Sequence, residues 1–147
     1  MEGNIMNQQL SKRLMLTSLV AAALGGGILM GHSATANAKA PEKIVSQTAL
    51  KLKASKRNVE PNGKAGLYTK PSVLKGERVV LSKKTMKKMD RSEDADHYLR
   101  AYRVARTNHK KVYYKVVTFD GKHRGWVYGG TKVNRFGGGL HEACLLY

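Results

Sequence analysis

The segment from residue 112 to residue 128 alternates aromatic rings with cations, a pattern that suits binding to a sugar-phosphate polymer. Aromatic rings stack on the faces of sugars, and a neighbouring cation neutralises phosphate. If this segment forms a β-hairpin, one face carries Tyr113, Lys115, Val117, Arg124, Trp126 and Tyr128. These residue types predict a binding surface.

Trp126 is the single tryptophan of the chain, and its place on this face allows two roles. It could fill a core or cover the mouth of a small sheet protein, with the methylene stem of Lys115 lying over the ring. It could also contact ligand, and the two roles are not exclusive. We expect Tyr113, Tyr128 and Arg124 to be exposed.

The residues that could support catalysis are poorly placed for it. Cys144 and His141 suggest a thiol and its base, but they lie in a tail, residues 141–147, that we expect to be flexible. The histidines do not fall at zinc-ligand spacing, and no serine stands in a nucleophile motif. The sequence therefore predicts no enzyme activity, no cofactor and no metal.

The hairpin that must position the aromatic and cationic residues is the clearest structural signal. Asp120 and Gly121 suit the two positive-φ positions of a two-residue type I′ turn. Such a turn pairs Phe119 with Lys122, Val117 with Arg124, Lys115 with Trp126, Tyr113 with Tyr128 and, on the opposite face, Tyr114 with Val127. That opposite face, with Val112 and Val116, predicts the core side, and Gly125 and Gly129 leave room for close packing.

The rest of the chain predicts short strands and one helix. Strand-like residues occur at Leu67 and Tyr68, before Pro71, and again at 79–81. Ser82 can cap a helical turn or two whose buried side carries Met86 and Met89. The acidic residues Glu93, Asp94 and Asp96 that follow are typical of a solvated loop. The pattern indicates an all-β fold with a short helical insertion.

The first 38 residues have the features of a secretory signal peptide. Lys12 and Arg13 precede an apolar run, and small residues follow it. Small residues at the −3 and −1 positions favour cleavage after Ala38, with cleavage after Ala36 as the alternative. The glycine-interrupted run is short for a retained membrane anchor, so we expect none. Residues 39–61 are basic and predict a spacer with at most an edge strand.

Charge then indicates the partner. Cleavage of the signal peptide removes the charged residues Glu2, Lys12 and Arg13. The 27 basic and 10 acidic side chains of the full chain are then reduced to 25 basic and 9 acidic ones in the mature chain, a net charge of +16. An exported protein this basic should bind a polyanion. Wall teichoic acid and lipoteichoic acid are abundant polyanions outside a Gram-positive cell, and peptidoglycan is the alternative wall polymer. Export makes nucleic acid the weaker partner. We expect a secreted monomer associated with the cell wall.

The run VYYKVVTFDGKHRGWVYGG, with GLYTKP upstream, resembles the bacterial Src-homology-3-like family, particularly the GW modules of surface proteins in lactic acid bacteria and relatives. In that family a strand similar to Tyr113–Val116 precedes a Gly-Lys turn, here Gly121 and Lys122, and a GWV strand, here Gly125–Val127. The resemblance covers about residues 62–140. It implies a small antiparallel β-barrel that attaches a surface protein non-covalently to cell-wall polymer and has no catalytic activity.

The chain departs from that family in carrying one copy, with a lysine-rich insertion at 82–88. One copy lacks the avidity of linked modules. The alternatives are a secreted cationic effector or adhesin acting on membranes or other cells and, more distantly, a nucleic-acid-binding protein. The candidate polymer contacts are Tyr68, Lys70, Arg100, Arg103, Tyr113, Lys115, Lys122, Arg124, Trp126 and Tyr128.

Overall fold

Short apolar runs form eight β-strands in the computed structural model, which describes residues 40–144. The strands are β1 (Ile44–Ala49), β2 (Asn58–Pro61), β3 (Leu67–Tyr68), β4 (Val79–Leu81), β5 (Leu99–Thr107), β6 (Val112–Thr118), β7 (Arg124–Gly130) and β8 (Leu140–Glu142). One α-helix, α1 (Lys83–Asp90), and two 3-10 turns, Ala54–Arg57 and Ala95–His97, complete the structure. The predicted signal peptide, 1–38, lies outside the described residues.

All strand pairs are antiparallel and belong to one sheet, in the order β4-β3-β7-β6-β5-β2-β8. The long strand β5 accepts two partners on one edge, since β1 pairs with residues 103–107 and β2 with residues 99–100. The all-β fold with a helical insertion is confirmed. The sheet is open, however, because its outer strands β4 and β8 do not pair with each other, so the closed barrel is not found.

The segment expected to be a spacer belongs to the sheet. Within it, β1 forms an edge strand, as allowed, but β2 lies between β5 and β8. Val59 is fully buried and Leu50 nearly so, and both pack in the main core. Few apolar residues lie among these lysines, but Leu50, Leu52 and Val59 pack in or against the core, so the spacer interpretation is wrong for residues 50–61.

The helix forms where its cap and its two methionines predict it. The Ser82 Oγ accepts a hydrogen bond from the Thr85 N–H at 3.1 Å, which satisfies one free donor of the first turn. Met86 and Met89 are buried in the core. Gly63, with φ of +68°, lies so close to Lys87 that a Cβ would collide with it. No helix within residues 40–144 is long and apolar enough to cross a bilayer.

The main core lies on one face of the sheet. The predicted core residues Val112, Tyr114, Val116 and Val127 are all fully buried there. The Tyr114 ring packs against Phe136 with 4.7 Å between ring centroids, and its hydroxyl accepts a hydrogen bond from the Asn134 N–H at 2.8 Å. Gly129 leaves the space that this ring fills, since a Cβ there would overlap it.

The C-terminal segment is ordered further than its sequence suggests. His141 and Glu142 belong to β8, which pairs with β2. The His141 Nε2 lies 3.1 Å from Glu60 Oε2 across that pair. The expected flexible tail is therefore wrong at these two residues, because strand pairing fixes their backbone. Cys144 is exposed, and residues 145–147 lie outside the described part of the chain.

Candidate functional site

The register of the β6–β7 hairpin is the predicted one. Lys115 pairs with Trp126, Val117 with Arg124 and Tyr113 with Tyr128, while Tyr114 meets Val127 on the other face. Cross-strand partners share one face of a sheet, so the register fixes which side chains stand together. The alternation of aromatic rings and cations on the outer face follows from it.

The turn that joins these strands differs from the predicted one. Among the turn residues only Gly121 has positive φ, at 73°, and its N–H donates to the Thr118 carbonyl at 2.8 Å. The type I′ turn and the Phe119–Lys122 pair are therefore wrong, and the Phe119 N–H instead donates to the Tyr98 carbonyl. Widening a two-residue loop by one residue on each side leaves the register unchanged, so the other predicted pairs are still correct.

Asp120 organises this turn with its side chain. Its carboxylate accepts hydrogen bonds from the Thr118 hydroxyl and from the Lys122 N–H, the latter at 3.0 Å. The Lys122 ammonium lies 3.3 Å from the same carboxylate. The Thr118 bond, then the Lys122 bonds and charge, lower the pKa of Asp120 to about 2. Lys122 is thereby less available to a ligand than its exposed position suggests.

Titration of Asp120 tests this turn. We expect its carboxyl to titrate at about 2 in the folded protein, below its ordinary 3.8, so its stabilising effect is complete above pH 3.8 and disappears as pH falls through 2. Carboxyl chemical shifts measured by NMR across this range report the midpoint. Thr118→Val should raise it toward 3.8, because the hydroxyl donor is removed. An unchanged midpoint in that variant would show that Thr118 does not hold the carboxylate.

Two rows of residues cross the outer face of the sheet. In one row Lys115 of β6 pairs with Arg103 of β5 on one side and with Trp126 of β7 on the other. Tyr68 of β3 pairs with Trp126 and continues this row. In the next row Val117 stands between Arg100 and Arg124. We call Arg100, Arg103, Lys115 and Arg124 the outer-face cations.

A β-bulge brings two of these cations to the same face. Arg100 and Arg103 are three residues apart, so simple alternation would place them on opposite faces. The pairing of β5 with β6 shifts between Ala101 and Arg103, leaving Tyr102 as the extra residue. Both arginines therefore pair with outer-face residues of β6.

Aromatic rings accompany the outer-face cations. The Lys115 ammonium lies 5.8 Å from the Trp126 ring centroid, the Arg124 guanidinium 5.8 Å from that of Tyr102 and the Arg100 guanidinium 5.3 Å from that of Phe119. Burial raises the pKa of the Tyr102 hydroxyl, and the neighbouring Arg124 and Arg103 partly offset that effect. Tyr102 and Phe119 are absent from the predicted contacts, because the bulge and the turn that expose them do not follow from alternation.

Two of the predicted aromatic contacts are buried. Trp126 and Tyr113 form a small second cluster with Ala105, against which Val73 and Tyr128 pack. Tyr113 is 3% exposed, since the β3–β4 loop covers it and the Ser72 hydroxyl lies 3.4 Å from its own hydroxyl. The expected exposure of Tyr113 is wrong, and burial raises its pKa. Trp126 takes the packing role, with Lys115 above its ring.

An open groove of about 560 Å³ begins where this cluster ends. We call it the tyrosine groove; three of the predicted contacts, Tyr68, Tyr113 and Tyr128, line it together with Lys64, Lys83 and Lys111. The Lys111 ammonium binds Glu42 at 2.8 Å. Burial of Glu42 would raise its pKa, but hydrogen bonds from Lys111 and Thr107 outweigh burial and lower it.

The structure therefore divides the predicted contacts. Arg100, Arg103, Lys115 and Arg124 share the outer face, and the three tyrosines share the groove beside it, whereas Lys70 is exposed in the β3–β4 loop and Lys122 lies at the hairpin turn. No protein-family model, curated protein or solved structure matches this chain. The chemistry that this arrangement offers is attraction of anions combined with stacking on rings.

Proposed function

We propose that this protein is a non-catalytic module that binds a phosphate-bearing cell-wall polymer and thereby holds itself at the surface of a Gram-positive bacterium. One observation carries the proposal: the four outer-face cations stand in two adjacent rows beside aromatic rings. Within residues 40–144 none of the four forms an ion pair with a carboxylate. Their charge is available to an external anion.

The mode of binding follows from elementary electrostatics. A surface with this excess of positive charge attracts a polyanion at long range, and salt screens that attraction. At contact, guanidinium groups can bind phosphate oxygens in bidentate fashion, and the half-buried rings of Tyr68 and Tyr128 in the tyrosine groove can contact sugars. Phosphates supply the affinity, and the order of cations and rings across the strands favours a chain over a single ion.

The setting of this function is part of the same proposal. A signal peptide in residues 1–38 would export the chain to the cell exterior, where teichoic acids, and not nucleic acids, are the abundant phosphate-bearing polymers. Kinship with the bacterial Src-homology-3-like modules is part of the proposal and rests on the sequence resemblance of residues 62–140; the open sheet departs from the closed barrel of that family. The assignment of teichoic acid as the partner depends on export of the chain and on its association with the wall.

Retention on isolated walls tests the proposal. We expect the mature chain to be retained by Gram-positive walls at low salt, to be released as salt rises, and not to be retained once teichoic acid is stripped from the same walls. Retention that survives stripping would contradict the polymer assignment. Lysis of anionic lipid vesicles without wall binding would instead favour a secreted cationic effector.

A further inference from the structure

A second group of cations lies next to the tyrosine groove and outside the outer face. Lys64 and Lys83 line the groove and also line a neighbouring open pocket of about 510 Å³. The other walls of that pocket include Lys84 and Lys87. We call these four residues the helix lysine cluster.

The cluster is fixed in place by the fold. Met86 and Met89 anchor α1 in the core, and Ser82 caps its first turn. The close approach of Gly63 to Lys87 sets the helix against the loop that carries Lys64. The four stems therefore start from defined positions although the side chains themselves are exposed.

The charge of the cluster is unneutralised. No carboxylate in the described part of the chain forms an ion pair with any of its four members. Like charges held around one pocket repel each other, and an anion placed among them relieves that repulsion. The pocket is thus suited to phosphate, independently of the outer face.

The groove connects the two cationic regions. Along β6, Val117, Lys115 and Tyr113 point to the outer face in succession, and Lys111, just before the strand, lines the groove with Tyr113. Val117 and Lys111 are six positions apart, which corresponds to about 20 Å at the usual rise of a strand. A chain of linked phosphates can cover this distance, whereas a single phosphate cannot.

We infer that the protein is bivalent, with one polymer chain contacting the outer-face cations and the helix lysine cluster at once. The tyrosine groove between them holds the sugar-bearing part of the same chain. This inference rests on the proposed function and extends it, because it names the ligand as an extended sugar-phosphate polymer and adds Lys64, Lys83, Lys84 and Lys87 to its contacts. Two linked binding regions on one module supply avidity that a single copy would otherwise lack.

Binding of polyphosphates of different length tests this inference. The probes are tripolyphosphate, which is too short to span the two regions, and long-chain inorganic polyphosphate. We expect the wild-type chain to prefer the long probe strongly. Lys84→Gln with Lys87→Gln should weaken binding of the long probe about tenfold or more and lower its salt dependence, because two ammonium groups no longer bind phosphate.

A charge-matched variant provides the control. Lys51→Gln with Lys53→Gln removes the same charge from two exposed lysines outside the cluster, and we expect a weaker effect on the long probe. Equal effects of the two variants would overturn the inference, even where wall retention of the wild type persists. Failure of the wild type to bind walls would instead overturn the proposed function. The urea midpoint of each variant, expected to be unchanged, excludes unfolding as the cause.

Discussion

Replacing three outer-face cations together, Arg103→Gln, Lys115→Gln and Arg124→Gln, should lower affinity for wall polymer about 100-fold at physiological salt. In nucleic acids, each side chain that no longer binds phosphate removes about 0.7 to 0.9 from the slope of log affinity against log salt, and a polymer with more widely spaced phosphates loses less. Three such side chains should therefore reduce the slope for wall polymer by up to about 2 to 3. Glutamine keeps part of the methylene stem, so the side chains at positions 115 and 124 still pack on the rings of Trp126 and Tyr102.

The measurement is retention of the variant on isolated walls across a salt gradient. A control with Lys51, Lys53 and Lys132 replaced by glutamine removes three charges from exposed positions away from the two rows. We expect that control to reduce affinity only slightly, through its lower net charge. A salt midpoint of the triple variant equal to that of the control would place the binding surface elsewhere.

Replacing Tyr114 by alanine should destabilise the fold by about 3 to 5 kcal/mol, the usual result of removing a fully buried aromatic side chain. The ring is completely buried between Phe136 and the space left by Gly129, so its removal leaves a cavity. The free energy of unfolding of a small domain is about 5 to 15 kcal/mol in total, so this variant loses a large part of it. Chemical denaturation in urea, followed by the fluorescence of Trp126, measures the change.

Two further variants separate the contributions of this side chain. Tyr114→Phe keeps the ring and removes only the hydroxyl, which accepts the hydrogen bond from the Asn134 N–H, so we expect a destabilisation of about 1 kcal/mol. Tyr98→Ala truncates a half-buried tyrosine that packs on Phe119, and it should lower the free energy of unfolding by less than Tyr114→Ala does. Equal midpoints for the two alanine variants would show that the core is not organised around Tyr114.

Local pattern is enough to predict the hairpin, its register, its core face and the methionine side of α1. Each of these depends on residues two to four positions apart or on strands joined by one turn. In a strand, successive side chains point to opposite faces, so the alternation of residue types predicts the face on which each side chain lies. The candidate contacts on β6 and β7 follow from the sequence for the same reason. Even the wrong turn type leaves them correctly paired, because a symmetric change of loop length preserves register.

The tertiary structure alone decides which of these residues can meet a ligand. The bulge at Tyr102 places Arg100 with Arg103, the β3–β4 loop buries Tyr113, and β2 enters the sheet between β5 and β8. Each outcome depends on interactions between segments far apart in the chain, such as Ser72 with Tyr113. Burial and strand order depend on the free energy of packing the whole sheet, and this free energy cannot be predicted from local alternation of residue types.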